Sequence, residues 1–299
     1  MHKLPAFFRP LYINNSNLIR VGSDFDGGYV LFKKSIINTK HLMLKLPKFL
    51  KPFFVKNKRL IRIGSEFDGG YVVLKDSILA TENLITYGIS DNFDFEKHFK
   101  RLSRCVLKSY DNSIDYKFWL KRFKIDLIKF FKFKIFRLKK ILDIFKFIDF
   151  YIFYKKAGNS FYLKKIGNKK GCVSINKTIN SDSNNNFFKI DIEGSEYDTL
   201  DYILKNQKKI TGLVIEFHEI QKNIKNIKKF ITSLKHLKLI HLHGNTYSQI
   251  NKLGLPEVIE CTFSNKKFLK NHKKKGRKKF PLQFLDKPNS KRHKQYSLI

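Results

Sequence analysis

The sequence predicts an α/β chain built on an open, mostly parallel sheet that ends in an antiparallel strand pair. Three observations lead there. Short apolar runs alternate with segments of helical period across residues 58–265, the pattern of a sheet covered on both faces. Several of these runs end in polar residues, where open α/β sheets place their ligands. The last two runs, 238–245 and 256–263, follow one another without a helical segment between them, so they pair as antiparallel neighbours.

A hydrophobic content of 42% supplies a core and excludes a disordered chain. The formal charge of +36 predicts attraction to polyanions. Its basic residues are spread along most of the chain, and Lys, Ile, Asn and Phe are all abundant, which is also what compositional drift produces. No aromatic-basic recognition motif of a known type accompanies the charge, so no specific nucleic acid is predicted. Cys105, Cys172 and Cys261 lie far apart, with neither metal-ligand spacing nor a disulfide framework, which fits a reducing compartment. Met1-His2-Lys3-Leu4-Pro5 lacks the apolar core of a signal peptide. No charge-free apolar window of ~18 residues is present to span a bilayer. A cytoplasmic location follows, with peripheral contact at the inner membrane surface open to the chain.

The elements read in order as follows. Residues 18–30, Leu-Ile-Arg-Val-Gly-Ser-Asp-Phe-Asp-Gly-Gly-Tyr-Val, recur with few changes as residues 60–72, an offset of 42. Two copies are too few for a solenoid. In each, Asp-Gly-Gly between apolar runs signals a β-hairpin. The second copy runs straight into the next element and is read as the integrated one; its Asp68 reads first as a turn former. Asn83 to Asn92 is a strand ending at Gly88, Asp94 to Leu102 a helix, and Cys105 to Asp111 a second strand. Residues 116–154 carry Leu120, Phe123, Leu127 and Phe131, then Leu138, Ile141, Phe145, Ile148 and Ile152, at steps of mostly three or four with lysines between. That is the period of one or two basic amphipathic helices, which cover a sheet or lie on an anionic membrane. Strands follow at Phe187 to Ile192 and Gly212 to His218, with a helix at Ile224 to Leu237. Residues 1–57 are thus an N-terminal extension carrying the first repeat copy. Residues 58–265 are the main domain, with a helical insertion at about 116–156. Residues 266–299 form a basic, irregular tail.

Polar residues close separate strands: Gly88, Asp111, Asp191, Glu193, Glu216, His218, His241, His243 and Asn245. Parallel neighbouring strands bring such ends to one edge. A glycine turn admits a ligand to the backbone, and an acid closing the next strand accepts hydrogen bonds from ribose hydroxyls. His218 suits general-base work. Asp191 with His218, His241 and His243 offers donors for a divalent metal, although histidines at strand ends also serve buried hydrogen bonds. These options stay open, and no metal ligand is assigned. Glu193 and Glu196 suit the N-terminus of the helix that follows.

Phe188-Lys189-Ile190-Asp191-Ile192-Glu193-Gly194-Ser195-Glu196 resembles the signature of FkbM-type methyltransferases, which depend on S-adenosylmethionine. Supporting likenesses are Arg62-Ile63-Gly64 through Asp68-Gly69-Gly70-Tyr71, Glu216-Phe217-His218, His241-Leu242-His243-Gly244-Asn245, the run from Pro256 to Phe263, Phe280-Pro281, and Leu285 to Asn289. They cover residues 58–299 less the helical insertion. The resemblance implies a class I methyltransferase (Rossmann-like) fold and methyl transfer to oxygen, often on sugars or secondary metabolites. It implies that Gly88 and Ser90 face the methionine part of the cofactor, that Asp111 holds its ribose, and that Asp191 sits beside the sulfonium and the acceptor. Asp191 and His218 are then the catalytic candidates, with Asp68, Glu193, Glu216, His241, His243 and Asn245 as substrate or structural ones. The competing expectation is an idle protein of this fold that binds an anionic membrane or polysaccharide through the basic helix.

Overall fold

The computed structural model describes residues 18–21, 29–32, 43–133, 145–180, 182–269 and 279–299, with side chains from Leu44 onward except those of 129–133. The chain divides into a unit ending at Met43 and a unit from Leu44 to Ile299.

In the first unit, β1 (Leu18–Val21) and β2 (Tyr29–Phe32) form an antiparallel ladder from Leu18↔Phe32 to Val21↔Tyr29. In the second, β3 (Leu60–Gly64) and β4 (Gly70–Leu74) form the same ladder, Leu60↔Leu74 to Gly64↔Gly70. The two repeat copies therefore share one register as well as one sequence.

After β4 come α1 (Lys75–Leu79), β5 (Asn83–Tyr87), α2 (Asp94–Leu102) and β6 (Val106–Tyr110). Then come α3 (Tyr116–Phe133), α4 (Lys146–Lys155), β7 (Asn159–Tyr162) and β8 (Asn186–Ile190). The chain continues through α5 (Leu200–Asn206), β9 (Ile210–Phe217), α6 (Ile220–Ser233), β10 (Leu237–Gly244) and β11 (Ile259–Asn265). The seven strands β5 to β11 form one sheet in the order β10-β11-β9-β8-β5-β6-β7. Every pairing is parallel except the two made by β11. A parallel sheet with its chain reversal between β5 and β8, closed by an antiparallel strand slotted in one place from the edge, is the class I methyltransferase, Rossmann-like fold.

The central strands are buried on both faces, which is why they read as continuous apolar runs. All of β8 and β9 is buried. Successive side chains serve opposite faces. Phe188, Leu213 and Ile215 pack with Ile203, Ile227 and Phe230 beneath α5 and α6. Phe187 and Val214 pack on the other face with Phe95 and Phe99 of α2 and Tyr71 and Val73 of β4. Gly212 makes this possible, since a Cβ there would lie 2.5 Å from the Phe187 ring.

The helical segment expected as an insertion lies in the crossover between β6 and β7. Trp119 of α3 packs on Phe150 and Phe147 at ring distances of 5.1 and 5.7 Å, and Phe93 stacks edge-on to Phe150 at 5.4 Å. β7 is a strand that the sequence does not signal. Asn-Ser-Phe-Tyr is short and mixed because the strand lies at the edge, with Tyr162 exposed.

Two boundaries differ from those expected. Residues 44–57 belong with the domain: Leu44, Leu46, Leu50 and Val55 are buried in the core of the sheet, and the Phe53 amide donates to the Leu239 carbonyl at 2.8 Å. At the other end, 279–299 is no loose tail. Phe280 and Leu298 exchange backbone hydrogen bonds at 2.8 and 3.1 Å, and the Ile299 amide donates to Leu44 at 2.9 Å. Apolar residues spaced among lysines hold it down.

Phe280 is only 1% exposed. Phe280→Ala is expected to cost about 3–5 kcal/mol, read as a lowered urea midpoint. An unchanged midpoint would show that the C-terminal segment does not share the core.

Candidate functional site

A cleft of about 420 Å³ opens at the carboxyl ends of β5, β6 and β8, the strand-order reversal where open α/β sheets bind ligands. Gly88 forms its floor. It takes φ +75°, and a Cβ there would meet the Asp191 carbonyl oxygen at 1.6 Å. Only glycine lets the two strand ends come this close. The Gly88 amide donates to Tyr110 at 3.0 Å and the Asp191 amide to Tyr87 at 2.9 Å, which locks all three strand ends together.

Asp111 holds the loop after Gly88. One carboxylate oxygen accepts the Ile89 and Ser90 amides, each at 2.8 Å. The other accepts the Ser113 amide at 2.7 Å and hydroxyl at 2.6 Å. Burial favours the neutral acid, yet these hydrogen bonds outweigh it and keep Asp111 below the usual carboxylate range. A carboxylate has about four lone-pair sites, and all four are engaged. The ribose role expected of Asp111 would compete with them. Ser90 lines the cleft with φ +52°, left-handed backbone that these two amide bonds help to hold.

Lys189, which carried no expectation, lies in the same cleft. It is buried on β8, and its Nζ donates to the Gly88 carbonyl at 2.6 Å. A lysine inside an otherwise apolar strand was the available signal. The turn of the second repeat copy reaches the rim as well. Asp68 and Gly69 line the cleft, and the Asn92 amide group donates to the Asp68 carbonyl at 2.9 Å.

Asp191, Glu193 and His218 meet beside the cleft, each offering a ligand atom within 4.8 Å of the others. Two carboxylates and an imidazole could chelate a divalent cation. His241 and His243, the other histidines considered for metal, are elsewhere. His241 faces Asp286 at 3.0 Å and His243 faces Glu260 at 3.2 Å, both as buried pairs. Each imidazole already has a carboxylate partner.

His218 is held by Glu196, a fully buried residue. Glu196 accepts the His218 amide at 2.8 Å and the Gly194 amide at 2.7 Å, with the His218 Nδ1 at 3.3 Å. The last acid of the Asp-Ile-Glu-Gly-Ser-Glu motif thus orients the imidazole as well as securing the turn. Burial disfavours the imidazolium, but Glu196, Asp191 and Glu193 prevail and hold the His218 pKa above its usual value.

Behind these groups lies a layer of acids. Tyr71 Oη is 3.4 Å from Asp191 and 3.5 Å from Glu216. Asn245 donates to Glu216 at 2.8 Å. Asn289, near the C-terminus, donates to Asp68 at 3.0 Å and to Glu260 at 2.9 Å. Burial, with Asp191 and Glu260 nearby, pushes Glu216 well above the carboxylate range. Burial is also the main reason that Asp191 rises to about 6, against the pull of Lys189 and His218.

No family model and no curated protein matches the sequence. Among solved structures, the chain is similar to an rRNA methylase from Streptococcus thermophilus, with 8% identity and a TM-score of 0.32 over 64% of this chain and 93% of that one. It is also similar to a protein from Pyrococcus horikoshii described as an RNA methyltransferase, with 9% identity and a TM-score of 0.31 over 77% and 96%. Likenesses this weak carry no argument about chemistry, and the fold assignment stands on strand order and direction.

The raised pKa has a consequence for stability. The folded protein holds the Asp191 proton more tightly than the unfolded chain, whose reference value is 3.8. Its contribution is present below about pH 4 and is lost as pH rises through about 6. Asp191→Asn cannot ionise, so it should gain on the wild type by on the order of 1–3 kcal/mol above that pH. Urea denaturation across a pH series should show the gain fading toward pH 4; a gain independent of pH would contradict the burial argument.

Proposed function

We propose that this protein is an S-adenosylmethionine-dependent methyltransferase acting on a hydroxyl of a sugar or another small acceptor, as in the FkbM-type family that its motifs resemble. The observation carrying the reading is the composition of the cleft. In a chain of formal charge +36, it is lined by five acids (Asp68, Asp91, Asp111, Asp191 and Glu193) against three lysines, Lys164, Lys165 and Lys189. A locally anionic cleft in a cationic protein favours a ligand with positive centres, and the lysines offer a place for a carboxylate. The volume is in the range of small-molecule sites.

When bound, the cofactor supplies an electrophilic methyl group on a sulfonium. The chain's own residues do the rest. Gly88, where no side chain fits, and the Ser90 backbone give it a floor. Asp111 fixes that floor. Asp191 would take the proton of the acceptor hydroxyl as that oxygen gains the methyl, which leaves its own carboxyl neutral, with His218 beside it. Most of the rate then comes from holding the acceptor in line, a matter of position rather than covalent chemistry.

Calorimetric titration with S-adenosylmethionine tests the cofactor. The wild type should bind at micromolar concentration, Asp111→Ala, which releases the loop after Gly88, should lose binding while remaining folded by circular dichroism, and Asp191→Asn should keep it. No binding by folded wild type would leave an idle methyltransferase fold. With an acceptor in hand, Asp191→Asn should lower kcat by roughly 10²–10⁴-fold. The wild-type rate should climb with pH up to about 6 and level off above it, where Asp191 is ionised.

A further inference from the structure

We propose that the crossover helices α3 and α4 form a docking surface for an anionic lipid bilayer. Phe145 at the start of α4, and Ile148, Tyr151 and Ile152 along it, are 50, 49, 50 and 54% exposed. Their spacing puts Phe145, Ile148 and Ile152 on one helix face, with Tyr151 adjoining. On α3, Leu120, Phe123 and Ile128 are exposed at 40, 43 and 54%. Single exposed apolar residues are ordinary, but so many on two helices that pack together through Trp119 mark an interaction surface.

Charge complementarity identifies the occupant. Flanking the apolar face of α4, a basic hollow of about 400 Å³ is lined by Lys97, Lys100, Arg101 and Lys156 with one acid, Asp149. Asp149 already pairs with Lys97, which leaves the hollow a net cationic seat for phosphate headgroups. Lys155 extends its ammonium over the Tyr151 ring at 4.7 Å, charge and apolar body side by side. An apolar stripe edged by cations fits a membrane surface, where acyl chains lie beneath anionic headgroups. A nucleic-acid interface is far more polar than this surface. Among the described residues no helix is long and apolar enough to cross a membrane, so the helices would lie in the interface. The same two helices also reach the cleft. Arg122 of α3 and Lys146 of α4 both pair with Asp91, at 2.8 and 3.5 Å, and Asp91 lines the cleft.

Co-sedimentation of the full chain with vesicles tests this. The wild type should pellet with phosphatidylcholine vesicles containing about one third phosphatidylglycerol, at about 0.15 M salt, and stay in solution with pure phosphatidylcholine. The double variant Ile148→Gln and Ile152→Gln leaves every charge in place and alters only exposed side chains, so it should fold normally, checked by thermal melting. It should bind the anionic vesicles about tenfold or more weakly, and Arg101→Gln with Lys156→Gln should weaken binding too. Two results would overturn the proposal: wild type that stays in solution with anionic vesicles, whether or not it binds single-stranded RNA, and an isoleucine variant that binds as well as wild type. The second would reduce the effect to the bulk charge of the chain.

Discussion

Three carboxyl groups, Asp191, Glu216 and Glu260, lie in one poorly solvated layer with the more exposed Asp68 at its edge, and much of the chain is arranged around that fact. Like charges in a low dielectric repel strongly and have little water to compensate them. Each acid meets the problem differently. Burial, with Asp191 and Glu260 beside it, pushes the Glu216 pKa up and so favours its neutral form. Glu260 stays charged because His243 and Asn289 face it, which outweighs its burial. Asp191 sits between, near Lys189 and His218. Asp68 is tied to Asn289. These pairings draw in segments remote in sequence: the second hairpin through Asp68, β11 through Glu260 and the C-terminal segment through Asn289. The acids thus make one unit of pieces that apolar packing alone would leave less specifically joined.

That layer sits directly behind the cleft, so holding the fold together and setting up the chemistry draw on the same residues. Gly88 lets β5 and β8 end in contact, which brings Asp191 to the floor. Lys189 then serves twice, holding the Gly88 carbonyl and supplying positive charge to Asp191. Glu196 likewise fixes the turn after β8 and orients His218. Residues with two duties of this kind explain why the motif around Asp191 is dense in acids. Its first acid faces the cleft, its second meets His218 at 3.4 Å, and its third is a buried strut.

The crossover between β6 and β7 shows the opposite balance. Trp119, Phe93 and Phe150 provide one packed inner side, while the outer side keeps aliphatic and aromatic residues exposed among lysines. Removing them from the surface would not weaken the sheet, since the aromatic stack already covers it. The outer face is therefore free to answer to something other than folding, and the pairing of Asp91 with both helices connects it to the cleft rim.

Periodicity in the sequence was enough to determine the fold class, because strands buried on both faces must read as apolar runs and their covering helices as amphipathic ones. It also located Gly88, Asp111, Asp191, Glu193 and His218, whose positions at strand ends are a local property of the chain. The hairpin repeat was legible for the same reason, as a turn signal between apolar runs. What tertiary structure alone decided was pairing. Which carboxylate would face His241 or His243, that Asp111 would hold the loop with all of its lone pairs, that Lys189 would reach Gly88, and that residues 279–299 would close over the domain all depend on distances between segments far apart in the chain. The edge strand at Asn159–Tyr162 belongs with these. Its sequence carries little pattern because its partner, not its own burial, makes it a strand.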